Sequence, residues 1–174
     1  MNRAAFFTSV RATLFGGRLK PSQVGGMERI LNECEAQSVT DKGHVAYILA
    51  TAYHETAFTM QPVTEYGSEK YLKGKKYWPY VGRGYVQLTW DFNYRDWGKR
   101  LGLDLLKNPD LAKDPKIAAR ILVQGMILGT FTGKKLTDYI NGPKRDFVRA
   151  RRVINGSDKA ALIARHAGNF LKAL

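Results

Sequence analysis

Among the 174 residues, Glu55 is the one whose type and position point most directly to chemistry. It stands in AYILATAYHETA, residues 46–57, seven positions after Ile48, so on a helix it shares a stripe with Val45, Ile48, Leu49 and Ala52. A carboxyl on an apolar face is costly to ionise, and the negative end of a helix dipole adds to that cost. Both effects favour the protonated form and suit a general acid that delivers a proton near neutral pH. Taken alone, a glutamate one turn from a helix end more often reaches solvent or pairs with a Lys or Arg. Its apolar stripe, and the Gly-punctuated polar and aromatic run YVGRGYVQLTWDFNY that follows at residues 80–94, turn the balance toward a site.

Other chemistries find less support. His54-Glu55 begins like a zinc-protease helix, but the second His that would share the face is replaced by Phe58. His44 and His166 are isolated, which predicts surface or hydrogen-bonded structural roles and no metal site. Gly82-Arg83-Gly84 lacks the third glycine of a dinucleotide fingerprint, and no phosphate-binding loop of the Walker type occurs. No cofactor is implied. The single cysteine, Cys34, has no protease signature around it and is expected in the core. Asn155-Gly156-Ser157 fits a glycosylation acceptor, which is meaningless without export.

The elements that must position Glu55 are helical by periodicity. An amphipathic helix carries Phe6, Phe7, Val10, Leu14 and Phe15 and stops at Gly16-Gly17. A second, capped by Ser22, places Val24, Met27, Ile30 and Leu31 and runs to about Glu35; a third, capped by Thr40 or Asp41, leads to Glu55. Residues 58–83 lose periodicity and read as a functional loop, and Tyr85 to Trp90 alternates as a short strand would. After a turn at Asn108-Pro109, Asp114-Pro115 opens a helix through Ile117, Ile121, Leu122 and Met126 toward Gly129. A further helix carries Phe147, Val148 and Ile154, and the last, opening at Ser157-Asp158, has an apolar seam from Ala160 to Leu174. The expected fold is mainly α, an α+β lysozyme-like arrangement with a small central β element and a cleft between two lobes. Residues 1–174 read as one catalytic domain, with N-terminal helices at about 1–36 packed on it.

The aromatic content excludes a disordered chain, no apolar run is long enough to span a membrane, and the amphipathic N-terminus does not resemble a signal peptide. Synthesis in the cytoplasm is therefore expected, and one cysteine makes an internal disulfide impossible. Twenty-eight Lys and Arg against fifteen Asp and Glu leave a net charge of +13, which predicts attraction to a polyanion: nucleic acid, anionic lipid or an acidic envelope polymer. Seven of the basic residues crowd between Lys134 and Arg152, either as a solvated face or as a binding surface.

Four stretches, YHETA at 53–57, GRGYVQLTWDFNY at 82–94, LDLLKNPDLAKDP at 103–115 and VINGSDKA at 153–160, together resemble glycoside hydrolase family 19. That family contains plant-type chitinases and a branch of phage and prophage endolysins. The short, cysteine-poor chain is more similar to the endolysin branch. The resemblance implies inverting hydrolysis with Glu55 as general acid and Glu65 as general base, Glu69 being the alternative base. It further implies substrate contacts from Gln87, Thr89 and Asn93, with Thr89 orienting the attacking water, from Tyr85 against a sugar ring, from Asn155 at the far wall of the cleft, and from Arg165 near the acid. Trp78 and Tyr80 are further aromatic candidates. The implied substrate is the glycan of peptidoglycan in an acidic bacterial envelope, reached by a monomer after a holin-type partner permeabilises the membrane, and the outcome is cell lysis. A chitinase of the same fold is the alternative. A basic nucleic-acid-binding protein is the alternative from another class, although no specific nucleic-acid-reading motif is present.

Overall fold

A computed structural model describes all residues, 1–174. Its centre is the helix α3, Lys42–Glu55, in which every residue from Gly43 to Tyr53 is buried. A helix apolar on all sides belongs inside a protein, and α3 is enclosed accordingly. Its N-terminus is fixed by Asp41, whose carboxylate accepts from the Gly43 amide at 2.7 Å and is held by Arg145 at 3.2 Å. Helix α7, Ala160–Ala173, packs along α3, and α1, Arg3–Thr13, packs on α7. On another side, α2, Pro21–Ala36, packs against α6, Pro115–Leu128. Asp114 caps α6 through the Lys116 and Ile117 amides, Pro115 occupies its first turn, and Gly129 ends it in the left-handed conformation. The core formed by these helices includes Phe6, Met27, Ile48, Trp97, Leu122 and Phe170. No helix is long and apolar enough to cross a membrane.

Two small antiparallel ribbons complete the fold. The strands β1, Val63–Thr64, and β2, Arg83–Gly84, pair Val63 with Gly84 and Thr64 with Arg83. The strands β3, Ile140–Asn141, and β4, Lys144–Arg145, form a separate hairpin. Mostly helical architecture with a small central β element is thus what the chain adopts, as expected.

Several local expectations are corrected. Helix α2 starts two residues earlier than a cap at Ser22 implied: Lys20 is the cap, Pro21 is its first residue, and the Gln23 side chain accepts from the Lys20 amide at 2.9 Å. The stretch at 58–83 contains β1 and a short helix α4, Glu69–Lys73, capped by Ser68. Tyr85 to Trp90 is not a strand. The chain reverses there, Gln87 takes a φ of 54°, Arg83 bridges Leu88, and Tyr85, Val86 and Leu88 are all buried. Helix α5, Asp91–Leu101, escaped notice because its charged exterior leaves only Tyr94, Trp97 and Gly98 buried. The expected helix through Phe147 and Ile154 is a 3-10 turn over Arg149–Val153, and α7 begins at Ala160, leaving Asp158 outside it.

The loop that carries the chain from α3 to β1 is seated on α2. Gly26 lies so close that an added Cβ would fall 1.7 Å from the Met60 carbonyl oxygen, whereas a Cβ at Gly25 would meet nothing within 4 Å. Gly26→Ala should therefore destabilise by about 2 kcal/mol or more through overpacking. Gly25→Ala should stabilise by about 0.5–1 kcal/mol through helix propensity. Urea unfolding midpoints of the two variants measure this opposition.

Candidate active site

Glu55 is the last residue of α3, the point at which the buried helix meets solvent, and its side chain is 17% exposed. Its surroundings correct the expectation of an apolar setting. Arg151 donates from Nη1 to Glu55 Oε1 at 2.7 Å, and the same guanidinium donates from Nε to the Asp158 carbonyl at 3.0 Å. The Arg151 side chain is 4% exposed although it sits in the basic run that could have been a solvated face. The bordering residues Ala150 and Val153 are fully buried, and they draw this part of the 3-10 turn inward. Position and partner, not greasy enclosure, define the Glu55 carboxyl.

Two neighbours complete this side. Burial, partly opposed by Glu55, holds the His54 imidazole below its ordinary pKa, so the ring is neutral near pH 7. The Tyr47 hydroxyl is buried without a hydrogen-bond partner, and burial pushes its pKa well up, with opposite contributions from Arg151 and Glu55.

Glu65 follows β1 directly and is half-buried. Its Oε1 accepts from the Tyr77 hydroxyl at 2.9 Å and its Oε2 from the Gly82 amide at 3.2 Å, while its own amide donates to the Gly82 carbonyl at 2.7 Å. Glu69 is differently placed. It begins α4, is 76% exposed and pairs with Lys73 at 2.6 Å, an ordinary i,i+4 surface pair.

Gln87, Thr89 and Asn93 form a ladder that ends on β1. Asn93 donates to the Thr89 carbonyl at 2.8 Å, the Thr89 hydroxyl donates to the Gln87 carbonyl at 2.8 Å, and the Gln87 amide reaches the Val63 carbonyl at 3.2 Å. The Thr89 proton and the Gln87 amide are thus spent on backbone, leaving their side-chain oxygens as acceptors, while Asn93 keeps one N–H and its oxygen.

Three other candidates part from expectation. Tyr85 is only 1% exposed, and burial first, partly offset by Arg29, pushes its pKa up to about 12. It is a core residue and cannot stack on a sugar. Arg165 is exposed on α7, and Arg151 occupies the place beside Glu55 that Arg165 was expected to take. Asn155 is exposed in the loop before α7, its side chain accepting from the Gly156 amide at 2.8 Å. Trp78 is 41% exposed, and Tyr80 packs at 5.4 Å on Tyr94. A surface hollow of about 690 Å³ between α2, α6 and the end of α5 contains neither Glu55 nor Glu65. No group of three His, Cys, Asp or Glu side chains is gathered to hold a metal.

Two residues were missed by sequence reasoning. Arg151 was hidden among exposed basic neighbours, and Tyr77 lay in a stretch without periodicity. The only available signal for Arg151 was the small and apolar pair Ala150 and Val153 at i, i+3 around it.

The family model for class I chitinases of glycoside hydrolase family 19 matches residues 34–125, just over half of the chain. The chain belongs to glycoside hydrolase family 19. Among relatives, it is 43% identical over 70 residues to an inactive chitinase-like protein 1 of Hevea brasiliensis and 58% identical over 40 residues to an endochitinase 1 of Theobroma cacao. These matches cover 40% and 22% of this chain but only 21% and 12% of those proteins. Chitinase C of Streptomyces griseus HUT6037 superposes with a TM-score of 0.69 at 22% identity, covering 99% of this chain and 75% of that one. A bacterial family 19 chitinase superposes with a TM-score of 0.61 at 24% identity, covering 99% and 93%. The family 19 fold is therefore shared over essentially the whole length.

Within this family 19 chain, the Arg151–Glu55 contact should appear as an energetic coupling. A double-mutant cycle with Glu55→Gln and Arg151→Met should yield about 1–3 kcal/mol, below the cost of a fully dry pair because Glu55 remains open to water. The parallel cycle with Arg152→Met should yield under about 0.5 kcal/mol, since that side chain is exposed. Thermal or urea unfolding of the variants measures both.

Proposed function

We propose that this chain hydrolyses glycosidic bonds in glycans containing N-acetylglucosamine, by inversion, with Glu55 as general acid and Glu65 as general base. The observation that carries the proposal is the contrast among the carboxylates. Glu55 and Glu65 are each half-buried and each fixed by dedicated donors, while Glu69 hangs on a surface lysine. In inversion, one carboxyl protonates the leaving oxygen while the other activates water on the opposite sugar face, the two standing about 6.5–9.5 Å apart.

Arg151 occupies Oε1 of Glu55, which leaves Oε2 to carry the proton to the leaving group. Each oxygen of Glu65 accepts one protein donor and keeps a lone pair for a water proton. Because the Thr89 hydroxyl spends its own proton on the Gln87 carbonyl, its oxygen can accept from that same water. Water held by Glu65 and Thr89 presents its free lone pair to the anomeric carbon.

For the substrate, the matched relatives named chitinase and endochitinase support chitin-type glycans. A second reading is favoured by the net charge of +13, for which uncharged chitin offers no counterpart. It is an endolysin acting on peptidoglycan, made in a bacterial cytoplasm and admitted to the wall by a holin-type partner.

Glu55→Gln and Glu65→Gln should fold normally and each lower hydrolysis at least about a hundredfold. Glu69→Gln should stay within roughly twofold, as expected for an exposed ion pair. Reducing-end release from soluble chitin derivatives and from purified cell wall measures this. Substantial turnover by Glu55→Gln would remove the acid from position 55, and equal activity of the 65 and 69 variants would place the base elsewhere.

A further inference from the structure

The segment between Ser68 and Lys76 concentrates positive charge beside the candidate base. It holds Lys70, Lys73, Lys75 and Lys76 against one acid, Glu69, and that acid is taken by Lys73 at 2.6 Å. Lys70, Lys75 and Lys76 have no carboxylate within 4.0 Å. Ser68, Lys70, Tyr71, Gly74 and Lys75 line a hollow of about 500 Å³ on this surface.

The hollow is tied to the site. The Lys75 ammonium donates to the Tyr71 hydroxyl at 2.5 Å and lies 4.0 Å from the centre of that ring. Two residues further, Tyr77 donates to Glu65. The hydrogen bond to Tyr71 raises the pKa of Lys75, and the charge of Glu65 adds to the effect, so the ammonium is charged at any working pH. A neutral sugar polymer has no group for such a lysine pair. An anionic substituent does, and the hollow that Lys70 and Lys75 line is also lined by Ser68.

We propose that Lys70 and Lys75 form a subsite for a carboxylate carried by the glycan, and that it selects acidic over neutral glycans. The inference rests on the glycan-hydrolase reading and deepens its peptidoglycan form. The carboxylate can come from the lactyl ether of the sugar or from a peptide attached to it.

The test compares wild type with Lys70→Met/Lys75→Met, which keeps the apolar stems. Three probes are used: purified glycan with peptide stems, the same glycan trimmed by an amidase to free lactyl carboxylates, and soluble chitin oligosaccharide. The ratio of kcat/KM on acidic to neutral glycan should fall three- to tenfold, roughly, as expected for two exposed ion pairs. Restoring charge with Lys70→Arg/Lys75→Arg should recover most of it, and Lys116→Met, on α6 and outside the hollow, should not move it. A fall confined to the stem-bearing or to the trimmed glycan names the source of the carboxylate. An unchanged ratio overturns the subsite and leaves the hydrolase reading standing. Should wild type cleave none of the probes, that reading fails; calorimetric binding of the trimmed glycan then decides the subsite, weaker in the double variant if it exists and equal if it does not.

Discussion

A guanidinium that is almost wholly shielded from water must have partners, because an unpaired buried charge is among the most costly features a fold can carry. Arg151 has two, the Glu55 carboxylate and the Asp158 carbonyl. Meeting that requirement ties the end of α3 to the 3-10 turn at Arg149–Val153, 96 positions away, and fastens that turn to the loop that enters α7. Glu55 is thereby aimed by a charge that itself cannot move without losing its partners. Two polar neighbours of this pair, His54 and Tyr47, stay neutral, since burial disfavours ionisation of both. One carboxylate oxygen is held and the other is left for chemistry.

The second carboxylate is held by another principle. Glu65 receives a backbone amide and a tyrosine hydroxyl, and the loop that supplies the amide is itself braced by Arg83. That buried side chain donates to the Pro79 and Val81 carbonyls and to the Tyr94 hydroxyl, and pairs with Asp110 at 2.9 Å. Tyr94 in turn donates to the Val81 carbonyl at 2.7 Å. A charged hub thus compensates for a β element of only two residues per strand, too small to be stable by pairing alone. Glu55, the proposed acid, stands on a rigid core helix, and Glu65, the proposed base, stands on a loop made rigid by side-chain hydrogen bonds.

What was legible in the sequence follows from this division. Helices announce themselves by period and caps, so α3, α6 and the seam of α7 could be placed, as could Asp114-Pro115 and Gly129 at the two ends of α6. Glu55 was found for a partly mistaken reason. The helix has no apolar stripe to interrupt, being buried all round until His54, and the glutamate matters as the point where it emerges. Long-range polar contacts leave no period. Arg151 pairs with a residue 96 positions away, and Tyr77 with one 12 away across a loop, so neither could be read from spacing. Tyr85 failed for a related reason: an apparent alternation of apolar and polar residues was a turn folded into the core. The motifs that resemble family 19 supplied what periodicity could not, namely Gln87, Thr89 and Asn93 as candidates, and hydrogen bonds to backbone carbonyls join the three in one ladder.

The central claim is that two separately anchored carboxyl groups act on opposite faces of a sugar ring, one giving a proton and the other taking one from water. Proton NMR of the anomeric region during the first minutes of hydrolysis of a β-linked N-acetylglucosamine oligosaccharide tests it most directly. The account predicts that the new reducing end appears first as the α-anomer and then mutarotates. Initial release of the β-anomer would contradict it, since retention requires a nucleophile in contact with the sugar in place of a base holding water.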